Sequence, residues 1–125
     1  MHELSVAHAV VSTVVRSLPT PAPRVLQVRL RIGALSGIVP EALEFAYDVA
    51  AEGTPLADAA LVIERTPVRI ACPRCGEQEL SGTTDFRCPQ CQQPCGDVVG
   101  GKELDILDIT LDDATLGEAW AAVPA

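Results

Sequence analysis

Residues 72–91 read Cys72-Pro-Arg-Cys75-Gly-Glu-Gln-Glu-Leu-Ser-Gly-Thr-Thr-Asp-Phe-Arg-Cys88-Pro-Gln-Cys91. Two C-x-x-C pairs stand twelve residues apart. Each pair makes a tight turn that presents two thiolates to one ion. Two such turns complete a tetrahedral four-sulfur shell with metal–sulfur distances of about 2.3 Å. Soft ligands in that geometry select Zn(II), or Fe in a rubredoxin-like variant. Four thiolates leave no open position, so the expected ion is structural rather than catalytic. Residues 71–95 hold little else that is hydrophobic, so metal binding must supply their folding free energy, on the order of 10 kcal/mol. The fifth cysteine, Cys95, is left over. With the shell complete it reads as an unused surface thiol, with exchange for Cys91 as the alternative. The odd count, the clustering and the lack of a secretory signal favour a metal site in a reducing cytoplasm over disulfides.

The flanking sequence supplies the frame that carries this module. Upstream, residues 3–18 read as an amphipathic helix with Leu4, Ala7, Val11, Val14 and Leu18 on one face, widened by Val10 and Val15. It ends before the stiff connector Pro19-Thr20-Pro21-Ala22-Pro23. Residues 24–32 alternate as a strand with Leu26, Val28, Leu30 and Ile32 buried and Gln27, Arg29 and Arg31 outward. Pro40 opens a second helix and Gly53 closes it, with Leu43, Ala46, Tyr47 and Ala50 inward and Phe45 and Val49 beside them. Residues 60–70 form a second strand, in which Pro67 marks an edge or a bulge. Downstream, Val98-Val99, Gly100-Gly101 and Lys102 to Leu111 read as a hairpin with a bulge between Ile106 and Leu107. From Asp112 onward the chain is Ala-rich and acidic. The expected fold is α+β: a small three-stranded antiparallel sheet with two helices on one face and an inserted four-cysteine zinc-ribbon module. Residues 1–70 with 97–125 make one domain, and residues 71–96 make the insert.

Composition narrows the function. The chain has 125 residues, nine basic against seventeen acidic, for a formal charge of −8. Phosphate backbones need clustered Lys and Arg, which argues against nucleic acid. Only 3% of the residues are aromatic, too few for a stacking platform. No run of eighteen apolar residues exists to form a membrane span.

Met1-His2-Glu3 has chemistry of its own. The Met1 amine, the amide and imidazole of His2 and the amide of Glu3 can form a planar four-nitrogen set, a geometry that suits Ni(II) or Cu(II). The Glu3 carboxylate can serve as a neighbour or an alternative ligand. His8, further along the helix, reads as a surface histidine.

Together these features resemble the HypA/HybF family, nickel-incorporation accessory proteins of nickel–iron hydrogenase. The resemblance spans residues 1–111. It rests on Met1-His2-Glu3-Leu4-Ser5, Ile32-Gly33-Ala34-Leu35-Ser36, Pro40-Glu41-Ala42-Leu43 with Phe45-Ala46-Tyr47, both cysteine pairs, and Gly101-Lys102-Glu103-Leu104. It implies a cytoplasmic metallochaperone and not an enzyme. Nickel is then transient cargo at Met1, His2 and Glu3, and zinc is structural at Cys72, Cys75, Cys88 and Cys91. The implied partners are a HypB-type GTPase and the hydrogenase large-subunit precursor, with urease maturation as a further client. The implied state is a monomer or weak homodimer. Two positions depart from the family pattern: Val39 where many members carry an acid near nickel, with Glu41 the nearest carboxylate, and Cys95. The competing reading is a zinc-ribbon interaction module without nickel transfer. A rubredoxin-like electron carrier is disfavoured, because only Phe86 is aromatic in the loop. No triad, phosphate loop or open-site metal motif points to an enzyme.

Overall fold

The computed structural model describes residues 3–112. In chain order the elements are α1 (Glu3–Ser17), β1 (Val25–Gly33), α2 (Pro40–Ala51), β2 (Ala60–Thr66), β3 (Arg69–Cys72), β4 (Gly76–Glu79), β5 (Val98–Gly100) and β6 (Leu104–Leu111). They build two three-stranded sheets, ordered β2-β1-β6 and β4-β3-β5.

The α+β class holds, with both helices on the face of the first sheet that carries Val28, Leu30 and Ile32 in a single core. The sheet is not all antiparallel, however. β1 and β2 run parallel, Gln27 beside Ala60 through Gly33 beside Thr66. Only β1 and β6 are antiparallel. The cause is α2, a helical crossover that returns the chain to the end of the sheet from which β1 began, so that the next strand repeats its direction.

The apolar faces match expectation at their centres, Ala7, Val10, Val11 and Val14 in α1 and Val28, Leu30 and Ile32 in β1, and differ at their edges. In α1 the buried side chains are Val6, Ala7, Val10, Val11 and Val14. Leu4 and Val15 are exposed. In β1 a register shift between Val25 and Gln27 turns Leu26 outward and puts Val25 into the core. The bulge expected in β6 is present: Leu30 faces Ile106, Arg29 faces Asp108, and Leu107 is skipped. On the opposite face of the sheet the arginines of the central strand reach both neighbours. Arg29 makes a bidentate pair with Asp108 at 2.6–3.0 Å, and Arg31 meets Glu64 at 3.2 Å.

The expected second strand divides at Pro67, which cannot donate to a ladder. Its first part, β2, stays in the first sheet; its second part, β3, starts the other. The expected hairpin divides likewise at Gly101 (φ 112°), because β5 pairs with β3 and β6 pairs with β1. The two crossings lie side by side. A Cβ on Gly101 would sit 3.0 Å from the Val68 Cα. The Gly33 amide donates to the Glu103 carbonyl at 2.8 Å, Ala34 to Thr66 at 2.9 Å and Leu35 to Gly101 at 2.6 Å. One carboxylate oxygen closes the knot: Glu103 Oε1 accepts from Thr66 Oγ1 at 2.7 Å and from the Gly101 amide at 2.9 Å. The Thr66 hydroxyl in particular holds the Glu103 carboxyl below the usual range.

A Cβ on Gly33 would run into the Gly101 carbonyl. Gly33→Ala should therefore cost about 3 kcal/mol or more in denaturant unfolding, since backbone has to move. Glu103→Gln should cost about 1–2 kcal/mol at neutral pH. A depressed carboxyl contributes stability in full above the unfolded value of about 4.3 and loses it as pH falls through the lower folded value. The gap between wild type and Glu103→Gln, followed by unfolding at stepped pH, should close over that acid range.

Candidate metal centre

The first cysteine pair is made by the β3–β4 hairpin. Cys72 ends β3 opposite Gly76, whose φ of 79° lets the chain turn back beneath both thiols. The second pair sits in a turn closed by Gln92 N–H to the Cys88 carbonyl at 2.8 Å and Cys88 N–H to the Gln93 carbonyl at 2.9 Å. Gln92 takes the left-handed conformation there (φ 63°). Arg87 and Pro94 bridge the flanks of this turn, and the Cys95 amide donates to the Phe86 carbonyl at 2.8 Å.

These two turns bring Cys72, Cys75, Cys88 and Cys91 together, with all four sulfurs within 4.8 Å of one another. Cys72 Sγ and Cys91 Sγ are 3.7 Å apart. A tetrahedral shell with bonds of about 2.3 Å requires sulfur–sulfur edges of roughly 3.8 Å. All five cysteines are free thiols, so no disulfide competes for them. The sulfurs are chemically unequal. Backbone N–H groups, Arg74 first and then Cys75, pull the Cys72 thiol down to about 6 despite its burial. Desolvation, reinforced by the neighbouring sulfurs, pushes Cys75 up to about 12. A cluster of this kind holds four negative charges only around a cation, which makes it a metal-binding group.

Cys95 is not the surface thiol expected from sequence. It is 5% exposed, packs in the second core with Val68, Ile70, Cys72, Leu80 and Cys88, and points its thiol at the Gln93 carbonyl at 3.5 Å. It stands outside the four-sulfur group. Burial raises its pKa, with Cys72 adding to the shift.

Of the expected N-terminal set, Met1 and His2 lie outside the described residues. Glu3 is the first residue of α1, and its Oε2 accepts the Val39 amide at 3.2 Å. Glu41 turns instead to Arg65 at 3.3 Å on the exposed side of α2. His8 is exposed, as expected, and joins no metal-ligating group among the described residues. The junction of Thr66, Gly101 and Glu103 escaped the sequence reading. Its signal was Gly101-Lys102-Glu103-Leu104, which carries no chemistry until the fold sets it against Gly33.

Fold and site define a class: a small metal-binding protein in which a helix-backed mixed sheet carries a four-thiolate ribbon between its second and last strands. The family described as "Hydrogenase/urease nickel incorporation, metallochaperone, hypA" matches residues 1–111, and the chain belongs to it. The hydrogenase maturation factor HypA of Chloroflexus aurantiacus is 49% identical over 110 residues, covering 86% of this chain and 96% of that protein. Its counterpart from Desulfosudis oleivorans is 37% identical over 115 residues, covering 90% and 100%. The solution structure of the Ni metallochaperone HypA from Helicobacter pylori has the same fold. Its TM-score is 0.60 at 19% identity, over 89% of this chain and 97% of that one.

Replacing Cys72, Cys75, Cys88 or Cys91 with Ser should abolish stoichiometric metal in native mass spectrometry and lower the melting temperature of the ribbon. Cys95→Ser should keep the metal. Because protons compete for thiolates, release to a chromogenic chelator should rise as pH is lowered from neutral.

Proposed function

We propose that the chain carries Ni(II) into the maturation of a nickel enzyme. The ion binds at the Met1 amine, the amide and imidazole of His2, and Glu3 through its amide or carboxylate. Zn(II) occupies Cys72, Cys75, Cys88 and Cys91 as a structural ion. The nickel part is residues 1–70 with 97–125, and the zinc part is residues 71–96.

The supporting observation is the bond from the Val39 amide to the Glu3 carboxylate. It holds the start of α1 against the residue that precedes α2, so the N-terminal ends of both helices converge on one corner. Helix N-termini carry partial positive charge. That field favours loss of amide protons, which a planar nitrogen set requires, and it weakens the hold on a divalent cation. Both effects suit an ion that is collected and then released. The first four N–H groups of a helix also lie outside its internal ladder, so a metal drawing on the Glu3 amide leaves α1 intact. The four-sulfur site behaves oppositely, since Cys72 and Cys88 are buried, Cys75 and Cys91 are half-buried, and the fold of the loop depends on them.

On this reading the recipient is a hydrogenase large-subunit precursor, the co-worker is a HypB-type GTPase, and urease maturation is a further client. The protein works in the cytoplasm, as a monomer or weak homodimer, by carrying an ion rather than by catalysing a reaction. Among the described residues no helix is long and apolar enough to cross a membrane.

The test is a nickel titration of protein beginning at Met1, beside protein with two residues added before Met1 and beside His2→Ala, with zinc counted in each sample. Nickel should bind the native form and weaken at least about tenfold in both variants, with zinc constant. Equal nickel binding in all three would remove the N-terminal site and leave a zinc-ribbon interaction module.

A further inference from the structure

Two side chains of α2 depart from the pattern that organises the rest of the helix. Leu43, Ala46, Tyr47 and Ala50 are buried, whereas Phe45 is 75% exposed and Val49 52%. Phe45 and Val49 are four residues apart, so they form one column on the helix surface, headed by Glu41. Glu44 and Asp48 form a second column beside it at the same spacing, and Glu52, the residue that caps the helix, follows four residues on. Glu41 is paired with Arg65. Glu44, Asp48 and Glu52 form no ion pair with another described residue.

Local energetics run against this arrangement. Like charges four residues apart destabilise a helix. Asp48 and Glu52 stand at the negative end of the macrodipole, where Lys or Arg is favoured, and the last turn holds no basic residue. A helix whose sole task was to cover the core would be more stable with the opposite charges here and a polar side chain at position 45. A largely exposed phenyl ring beside unpaired carboxylates has the anatomy of a surface completed by something else: an aromatic anchor with charges at its rim.

We propose that this face of α2 docks a basic amphipathic helix of a partner protein. The partner's apolar column takes up Phe45 and Val49, and its Lys or Arg column meets Glu44, Asp48 and Glu52. Charge complementarity selects this occupant. A second copy of the chain would set acidic column against acidic column. Residues 113–125 carry Asp113 and Glu118 and no base, so they repel the same face. The docking is independent of what the N-terminus carries.

The test titrates isotope-labelled full chain with a synthetic Leu/Lys peptide of about four helical turns, followed by amide chemical shifts. Shifts should concentrate on residues 41–52. Phe45→Ala should weaken binding about tenfold or more with an unchanged melting temperature, since the ring is largely solvated. Changing Glu44, Asp48 and Glu52 together to Gln should also weaken it and flatten its salt dependence. The same charge change at Glu77, Glu79 and Asp85 should leave binding intact. Shifts on another face, undiminished affinity in Phe45→Ala, or equal weakening by the remote triple variant would overturn the proposal. So would shifts on α2 that follow protein concentration without peptide, which would make a second copy the occupant. A change in Trp120 emission on Phe45→Ala alone would do the same, by making the chain's own C-terminal segment the occupant.

Discussion

A single carboxylate oxygen holds the place where two sheets exchange strands. Glu103 Oε1 takes hydrogen bonds from the end of β2 and from the glycine that follows β5. Its own carbonyl takes one from the end of β1. Three segments distant in sequence thereby meet at one end of the first sheet. The contact is close enough that Gly33 and Gly101 have no room for side chains there. Everything beyond this point, from Pro67 to Gly101, is an excursion whose two ends are tied at a common base. The order of the outer sheet, the start of β6 and the seating of Leu35 against the second core all follow from that tie.

The excursion has too small a core of its own, which is why a metal-binding group matters there. The buried residues of the second cluster are Val68, Ile70, Leu80 and three cysteines. Aliphatic burial on that scale cannot hold a loop-rich unit, since such small cores rely on staples. The first cluster is built the other way, with nineteen buried aliphatic residues and Tyr47, and no buried charge among the described residues. The two units therefore differ in what stabilises them. One is held by packing, the other has a four-sulfur group that coordination would hold, and hydrogen bonds at the crossing join them.

Much of this was legible in the sequence, and the misses share a physical cause. The cysteine pairs, both helices and the β6 bulge were readable because each is a local pattern. The centre of the buried face of α1 (Ala7, Val10, Val11 and Val14) was read correctly and its edges were not, since a valine-rich helix offers adjacent stripes of similar hydrophobicity and only packing selects Val6 over Leu4 and Val15. Leu26 was placed inside because a bulge at the start of β1 reverses the alternation without any marker such as glycine. The parallel pairing of β1 and β2 was implied by the helix between them, yet hidden by the hairpin assumed for residues 98–111. That hairpin failed because Gly100-Gly101 serves as a crossing between sheets rather than a turn within one. At the sites, the grouping of Cys72, Cys75, Cys88 and Cys91 was legible from spacing alone. The burial of Cys95 and the clasp at Glu103 were not, since both depend on which segments become neighbours in space.

The crossing also bears on how the chain reaches this state. β1 and β6 must pair across a long stretch of sequence; Arg29 and Asp108 are 79 residues apart. Closing such a loop has an entropic cost that grows with the length left free, and distant pairing of this sort slows folding. Gly101 lies beside Val68, so a ribbon gathered around an ion would bring the two together early. The last strand then starts its search from the edge of a nearly finished sheet. An ion bound there would shorten the chain that β6 experiences. As the polypeptide is synthesised, all four sulfur ligands are in place before the strand that completes the first sheet has been made.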